Sequence, residues 1–239
     1  KIKNKIIISD KLYEKLKPSL TIIPYLNNID TNKIQKVTSG LDSLILSKKL
    51  ISIAKKKRLK KNKFHQINIT LCFGGSDPKN YTYKIVKDLI SLNLNFNFNI
   101  IIGSLYNKEN ERRLRNITYS LSNYKIYKNP KNLYSIFKQS KFAIINSGNI
   151  KYEFVSLGIP FLLFANDSKS KFFCRIFKNY FKFFHYKNFN YPKKKYLNTL
   201  LCSLIKIEKK LNFYAKSNKK RINFKSTENV VKHINNTII

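Results

Sequence analysis

The sequence predicts an α/β chain whose main part is a doubly wound parallel sheet, and three observations carry that prediction. Apolar runs of strand length alternate with periodic segments of helix length, the order expected of βα units. Prolines open two of the helical segments and a glycine closes one, the usual asymmetry of helix ends. Small residues follow two of the apolar runs, where a parallel sheet presents its ligand-binding loops.

The elements follow in order. Residues 5–9 (KIIIS) and 20–23 (LTII) read as two short strands. Residues 38–58 read as a helix, because Leu41, Leu44, Ile45, Leu50, Ile53 and Ala54 fall near one face. Its basic tail, residues 55–63, reads as an exposed linker. From there the rhythm is regular. Strands are expected at 67–73 (INITLCF), 96–102 (FNFNIII), 125–127, 142–145 (FAII) and 160–164. Between them lie helices at 78–92, 108–122, 130–139 and 149–157, the last stopped by Gly158. Further helices are expected at 169–180, 193–217 and 226–236, and no internal repeat is evident.

Composition bounds the function. A chain of 239 residues with 43% hydrophobic content can bury one full domain plus an attached piece. No run of about 18 apolar residues is present, so no spanning helix is expected. Residues 6–8 are too short for the apolar region of a signal peptide, and the chain has no Met, so it reads as a fragment or a product lacking its start. Cys72, Cys174 and Cys202 are odd in number and far apart, which signals neither a disulfide framework nor a zinc site and fits a reducing cytoplasm. The net charge of +36 rests largely on lysine, alongside abundant Asn, Ile, Phe and Tyr, all with AT-rich codons. Scarce Asp and Glu are not explained that way. The charge reads first as a solvated basic surface, and next as attraction to phosphate ligands or an anionic membrane. No nucleic-acid motif accompanies it, so no specific nucleic-acid partner is expected.

Two loops can carry chemistry. The first, Phe73-Gly74-Gly75-Ser76-Asp77-Pro78-Lys79-Asn80, stands between a strand and a helix. Its paired glycines let backbone approach a ligand, and Ser76 or Asp77 can cap the helix, whose start favours phosphate. It lacks the third glycine of a dinucleotide fingerprint. The second, Asn146-Ser147-Gly148-Asn149, opens the helix carrying Lys151, Tyr152 and Glu153 and ending at Leu157-Gly158-Ile159-Pro160. A carboxylate about a turn into such a helix can accept both hydroxyls of a ribose. About 70 residues apart, the two loops suit one diphosphate clamped between two helix starts.

These residues resemble a known family. Gly74 to Asn80, Asn129-Pro130-Lys131-Asn132-Leu133, and Ser147-Gly148 through Tyr152-Glu153 to Leu157-Gly158-Ile159-Pro160 are similar to GT-B sugar-nucleotide enzymes. The subgroup joins the UDP-sugar hydrolase of pseudaminic acid synthesis to the spore-coat polysaccharide predicted glycosyltransferases, with a glycosyltransferase family 28 C-terminal-like domain. Residues 222–225 before 229–231 match the last turn and helix, and residues 5–10, 20–27, 38–41 and 44–45 resemble the end of an N-terminal domain and the entry to the C-terminal one. The resemblance implies a Rossmann-like C-terminal half of a GT-B fold. Residues 1–36 would be a remnant of the N-terminal domain, 37–66 a connecting helix and basic linker, and 67–239 the nucleotide-sugar-binding domain.

By the same resemblance Gly74, Gly75, Ser76, Ser147, Gly148 and Asn149 would face a pyrophosphate. Backbone from Asn129 to Asn132 would meet the base, and Glu153 the ribose. The implied partner is a UDP-sugar, with no cofactor and no metal. A separate N-terminal half, and an anionic membrane holding the acceptor, are further candidate partners. The chain departs from its relatives at Tyr152, where the hydrolases carry Asn, at Lys151, where a small or apolar residue is usual, and at Asn166-Asp167-Ser168, where an Asn-Gln or Asp-Gln pair is common. It also lacks the glycine- and histidine-bearing N-terminal loop that supplies the hydrolases' base. Of its three histidines, His65, His185 and His233, the first reads as a linker or strand-edge residue and the second as packing, so no catalytic residue is assigned. Tyr152-Glu153 favours the transferase branch. A UDP-sugar hydrolase, and a non-catalytic relic or half of a split enzyme, are the alternatives.

Overall fold

The computed structural model describes residues 4–9, 12, 14–26, 36–56 and 67–238. Most of the expected linker, from residue 57 onward, and His65 lie outside the described residues.

The order of elements gives two parallel sheets. β1 (Ile6–Ile8), β2 (Leu20–Ile23) and β3 (Val37–Ser39) form a three-stranded sheet in the order β1-β2-β3. β4 (Ile67–Cys72), β5 (Phe96–Ile102), β6 (Tyr124–Lys128), β7 (Phe142–Asn146) and β8 (Phe161–Phe164) form a five-stranded sheet ordered β6-β5-β4-β7-β8. Every pairing is parallel, in registers such as Cys72 with Ile101 on one side and Ile145 on the other.

The helices cover both faces of the larger sheet, as all-parallel strands require. α1 (Lys48–Lys55), α4 (Leu133–Gln139), α5 (Ile150–Leu157) and α6 (Ser168–Tyr180) pack on one face around Cys72, Ile145, Phe161 and Leu163. α2 (Tyr81–Leu92), α3 (Lys108–Thr118), α7 (Lys194–Ser203) and the start of α8 (Glu208–Lys220) pack on the other, around Leu71, Ile100, Ile144 and Phe164. Successive strand residues thus alternate between two cores, and each β-branched or aromatic side chain has a helix to meet. α9 (Ser226–Ile238) returns to the smaller sheet, where Val230 and Ile234 close on Leu20 and Ile22. Among the described residues no helix is long and apolar enough to cross a membrane.

The expected helix at 38–58 is corrected. Val37–Ser39 is a strand against β2, Leu41–Ser43 is a single 3₁₀ turn, and regular helix begins only at Lys48. Gly40, at φ 83°, breaks the backbone, and the Ser47 hydroxyl accepts from the Leu50 N–H to start α1. Leu44 is buried from extended chain, so its helical spacing was coincidental. The single helix expected at 193–217 divides into α7 and α8. Ser203 turns its hydroxyl onto the Leu200 carbonyl, a local bond that competes with regular helix. α2 and α4 start three residues later than their prolines suggest, because Asn80 (φ 52°) and Asn132 (φ −108°, ψ 45°) are not helical.

Candidate functional site

The strand order decides where the loops meet. The chain runs outward from β4 through β5 to β6, then crosses back to β7 and β8, so the direction of winding reverses between β4 and β7. Gly74, Gly75 and Ser76 leave β4, and Ser147, Gly148 and Asn149 leave β7. All six therefore lie at the carboxyl ends of the two strands that flank the switch point. All six are exposed or partly exposed while the strands beneath them are buried.

In the first loop Gly74 has φ 90°, a conformation closed to most side chains. Asp77 is 4% exposed, and its two carboxylate oxygens accept from the N–H groups of Tyr81 (3.0 Å) and Thr82 (2.7 Å). The chain thus supplies its own anion at the start of α2, and the backbone of residues 74–76 is what this loop has left to offer a ligand. Gly103, just after β5, lies against the backbone of Gly75, so the loop rests on a surface with no side chain. Lys79 donates to the Asn166 carbonyl after β8, while the buried Asn166 Oδ1 has no hydrogen-bond partner among the described residues.

The second loop is built differently. Asn146, 5% exposed, donates from Nδ2 to the Phe73 carbonyl at 2.7 Å and receives a long contact (3.4 Å) at Oδ1 from the Gly148 N–H. One amide therefore ties the end of β4 to the loop after β7. No side chain caps α5 at Asn149; the Lys151 and Tyr152 N–H groups turn back onto the Gly148 (3.3 Å) and Asn149 (3.0 Å) carbonyls, and the helix start holds no side-chain anion of its own. Behind the loop, Lys151 sends Nζ to the carbonyls of Ser147 (3.0 Å) and Gly148 (3.2 Å).

Glu153 and Asn149 share a cavity of about 130 Å³ with Pro24, Leu44, Ser47 and Tyr152. The Tyr134 hydroxyl, at the start of α4, reaches Glu153 Oε1 at 3.5 Å and in turn accepts from the Ser47 hydroxyl at 3.2 Å. Burial pushes the Glu153 carboxyl up to about 7, with the tyrosine contact only partly offsetting it. Glu153 and Asp77 both act on the buried Cys72 thiol between them, itself pushed up to about 12 chiefly by burial. Asn132 is exposed, and its Oδ1 accepts from Lys49 Nζ at 3.0 Å, which fastens the loop after β6 to α1.

The structure therefore brings the two glycine loops, Asn149 and Glu153 into one neighbourhood, with Asn132 at its margin. Sequence reasoning gave no role to Gly103 or Tyr134, and named Asn146 only as the first residue of the second loop. Gly103 carried a signal, a glycine directly after an apolar run, and so did Asn146, a polar residue ending a strand of apolar ones. Tyr134 carried none. His185 packs among Phe183 and Phe189, in keeping with a structural role.

No protein-family model matches the chain. MJ1062 of Methanocaldococcus jannaschii, itself described as uncharacterized, is 35% identical over 124 residues. That stretch is 51% of this chain and 24% of the relative, so the chain spans about a quarter of that protein's length. Among solved structures, MurG of Acinetobacter baumannii superposes with a TM-score of 0.63 at 13% identity, over 98% of this chain and 67% of MurG. MnaA of Staphylococcus aureus, solved with UDP, gives 0.60 at 14% identity, covering 93% of this chain and 62% of MnaA. Alr3699/HepE of Anabaena, solved with UDP and glucose, gives 0.62 at 8%, covering 97% and 71%. At these identities the likeness is one of fold: the two sheets match the Rossmann-like halves of GT-B enzymes.

Proposed function

We propose that residues 67–239 bind a UDP-sugar between the two glycine loops, as the nucleotide-sugar domain of a glycosyltransferase of surface-polysaccharide synthesis. In this reading residues 1–36 belong to the end of the N-terminal GT-B domain and 37–66 connect the two. The observation that carries it is the switch point itself: two small-residue loops flank it, one opening an uncapped helix that presents a half-buried carboxyl a turn later. The structures of MnaA and Alr3699/HepE, each solved with UDP, support the same ligand class. Backbone N–H groups of the second loop stabilise the diphosphate as it leaves, by fixed dipoles aimed at developing charge. Glu153 accepts the ribose hydroxyls.

Calorimetric titration of UDP tests the reading; no affinity up to millimolar concentration sinks it. Glu153→Gln is expected to weaken UDP about tenfold and to leave 2′,3′-dideoxy-UDP nearly unchanged, since charge-assisted hydrogen bonds are worth roughly 1.5–3 kcal/mol each. Glu111→Gln, at a carboxylate held by Arg115 and Lys128, is the control. The pH dependence has a definite sign. Glu153 is protonated below about 7, so the preference for UDP over the dideoxy analogue is full at pH 8 and is lost as pH falls toward 6. A preference that is flat across this range removes Glu153 from the ribose.

A further inference from the structure

We propose that Lys151 is the internal cation of the Ser147–Asn149 loop, a buried ammonium that fixes the loop's carbonyls inward and strengthens diphosphate binding on its outer side. The inference deepens the nucleotide-sugar reading and rests on it. Lys151 is 5% exposed, the second residue of α5, and no ion pair among the described residues includes it. Its burial and its place at the helix start are both unfavourable for a lysine. Burial strips its hydration, and the positive end of the helix dipole repels it. Its compensation is local: the carbonyls of Ser147 and Gly148, the Tyr152 ring with its centroid 4.8 Å from Nζ, and the Phe177 ring at 5.6 Å. None of these is an anion. A cation held without a counter-ion directly behind a candidate phosphate loop is half of an ion pair whose other half the ligand brings.

The geometry also sets the direction of the loop's donors. In a planar trans peptide the C=O and the next N–H point opposite ways. With the Ser147 and Gly148 carbonyls turned onto Lys151, the N–H groups of Gly148 and Asn149 turn away from it, toward the outer side of the loop. Successive N–H groups arranged so form an anion-binding concavity. The Gly148 N–H keeps only its 3.4 Å contact to Asn146.

Lys151 is also poised to respond to an anion. Burial pushes its ammonium down to about 8. The titratable neighbour that acts on it is the Cys174 thiol of α6, pushed up to about 11 by burial and so uncharged across the same range. The Tyr152 hydroxyl on α5 is raised above its usual range as well. A diphosphate bound in front of the loop favours the charged lysine. Binding therefore takes up a proton at pH above about 8, and the part of the affinity that Lys151 supplies is full below that pH and falls as pH rises through it.

The test uses the full chain with UDP-glucose and uridine as probes. Calorimetry at pH 8.5, in two buffers of different ionisation enthalpy, counts protons taken up on binding. At this pH Glu153 is already ionised. For the wild type, net proton uptake with UDP-glucose is expected and none with uridine, and UDP-glucose affinity falls several-fold between pH 7 and 9. Lys151→Met is expected to weaken UDP-glucose about tenfold at pH 7, to flatten its pH profile and to leave uridine unchanged. Lys151→Arg should restore part of the affinity but not the proton uptake. Uptake identical in Lys151→Met, or uridine weakened as much as UDP-glucose, overturns the inference. Should Lys151→Met fail to fold, absence of uptake by the wild type alone overturns it. UDP-glucose binding that ignores Lys151 refutes this inference only, whereas no UDP-glucose binding by the wild type refutes the nucleotide-sugar reading and this inference with it.

Discussion

Gly103→Ala is expected to lower UDP-glucose affinity by about a hundredfold or more and to destabilise the fold by roughly 1–3 kcal/mol, the usual cost of forcing atoms into a filled space. A β-carbon at position 103 would collide with the Gly75 carbonyl oxygen and Cα and stand 2.7 Å from its carbonyl carbon. All three are backbone atoms, so no rotamer change relieves the contact. Nor can the strands slide, because Ile67 to Cys72 is locked in register with Phe96 to Ile101. What must move is the Gly74-Gly75 loop, by more than hydrogen bonds to a phosphate tolerate. Gly75→Ala is the informative partner. A β-carbon there meets nothing within 4 Å, so melting temperature should hold while binding still falls, since the new methyl occupies the space the ligand needs. Thermal melting and titration on both variants separate the two causes. Unchanged binding in Gly103→Ala would mean that the first loop does not touch the ligand.

Asn146→Ala should cost about thirtyfold in UDP-glucose affinity, together with roughly 1–3 kcal/mol of stability. The amide joins the end of β4 to the loop after β7 by a hydrogen bond from Nδ2 to the Phe73 carbonyl at 2.7 Å. Truncation leaves that carbonyl without its buried donor, which is where the stability loss arises. Loss of about 2 kcal/mol of positioning energy converts to the stated factor. Asn146→Asp keeps the size but replaces the donor by an acceptor facing the Phe73 oxygen, and should be worse than alanine. Urea denaturation and UDP-glucose titration give both quantities. If affinity holds while stability falls, the bridge serves the fold alone.

Much of this architecture is legible in the residues. The Phe96–Ile102 strand matches its expected bounds, and the alternation of apolar runs with periodic segments fixes the parallel sheet, because buried strands and amphipathic helices carry different periods. The two glycine loops and Glu153 also stand out, each for a local reason of backbone freedom or charge. Errors fall where local pattern and tertiary contact disagree. Leu41 and Leu44 have helical spacing, yet the open edge of β2 claims the residues just before them as a strand. Asp77 was readable as a cap, but that both its oxygens are used, leaving α2 no free start, depends on distances. Lys151 looked like a mere departure from its relatives; its role turns on which carbonyls its ammonium meets, and no one-dimensional pattern encodes that.

The return of α9 to the smaller sheet has a consequence for the order of assembly. Asn4 Nδ2 donates to the Ile238 carbonyl across 234 positions, and Leu46 N–H donates to the Thr227 hydroxyl across 181. Closing loops of this length is slow compared with forming neighbouring βα units. During synthesis the strands from β4 to β8 can condense with their helices while β2 still lacks the side chains of Val230 and Ile234 that cover it. The smaller sheet is thus sealed late, and until α9 docks Leu20 and Ile22 stay uncovered and open to aggregation beside an already folded larger sheet.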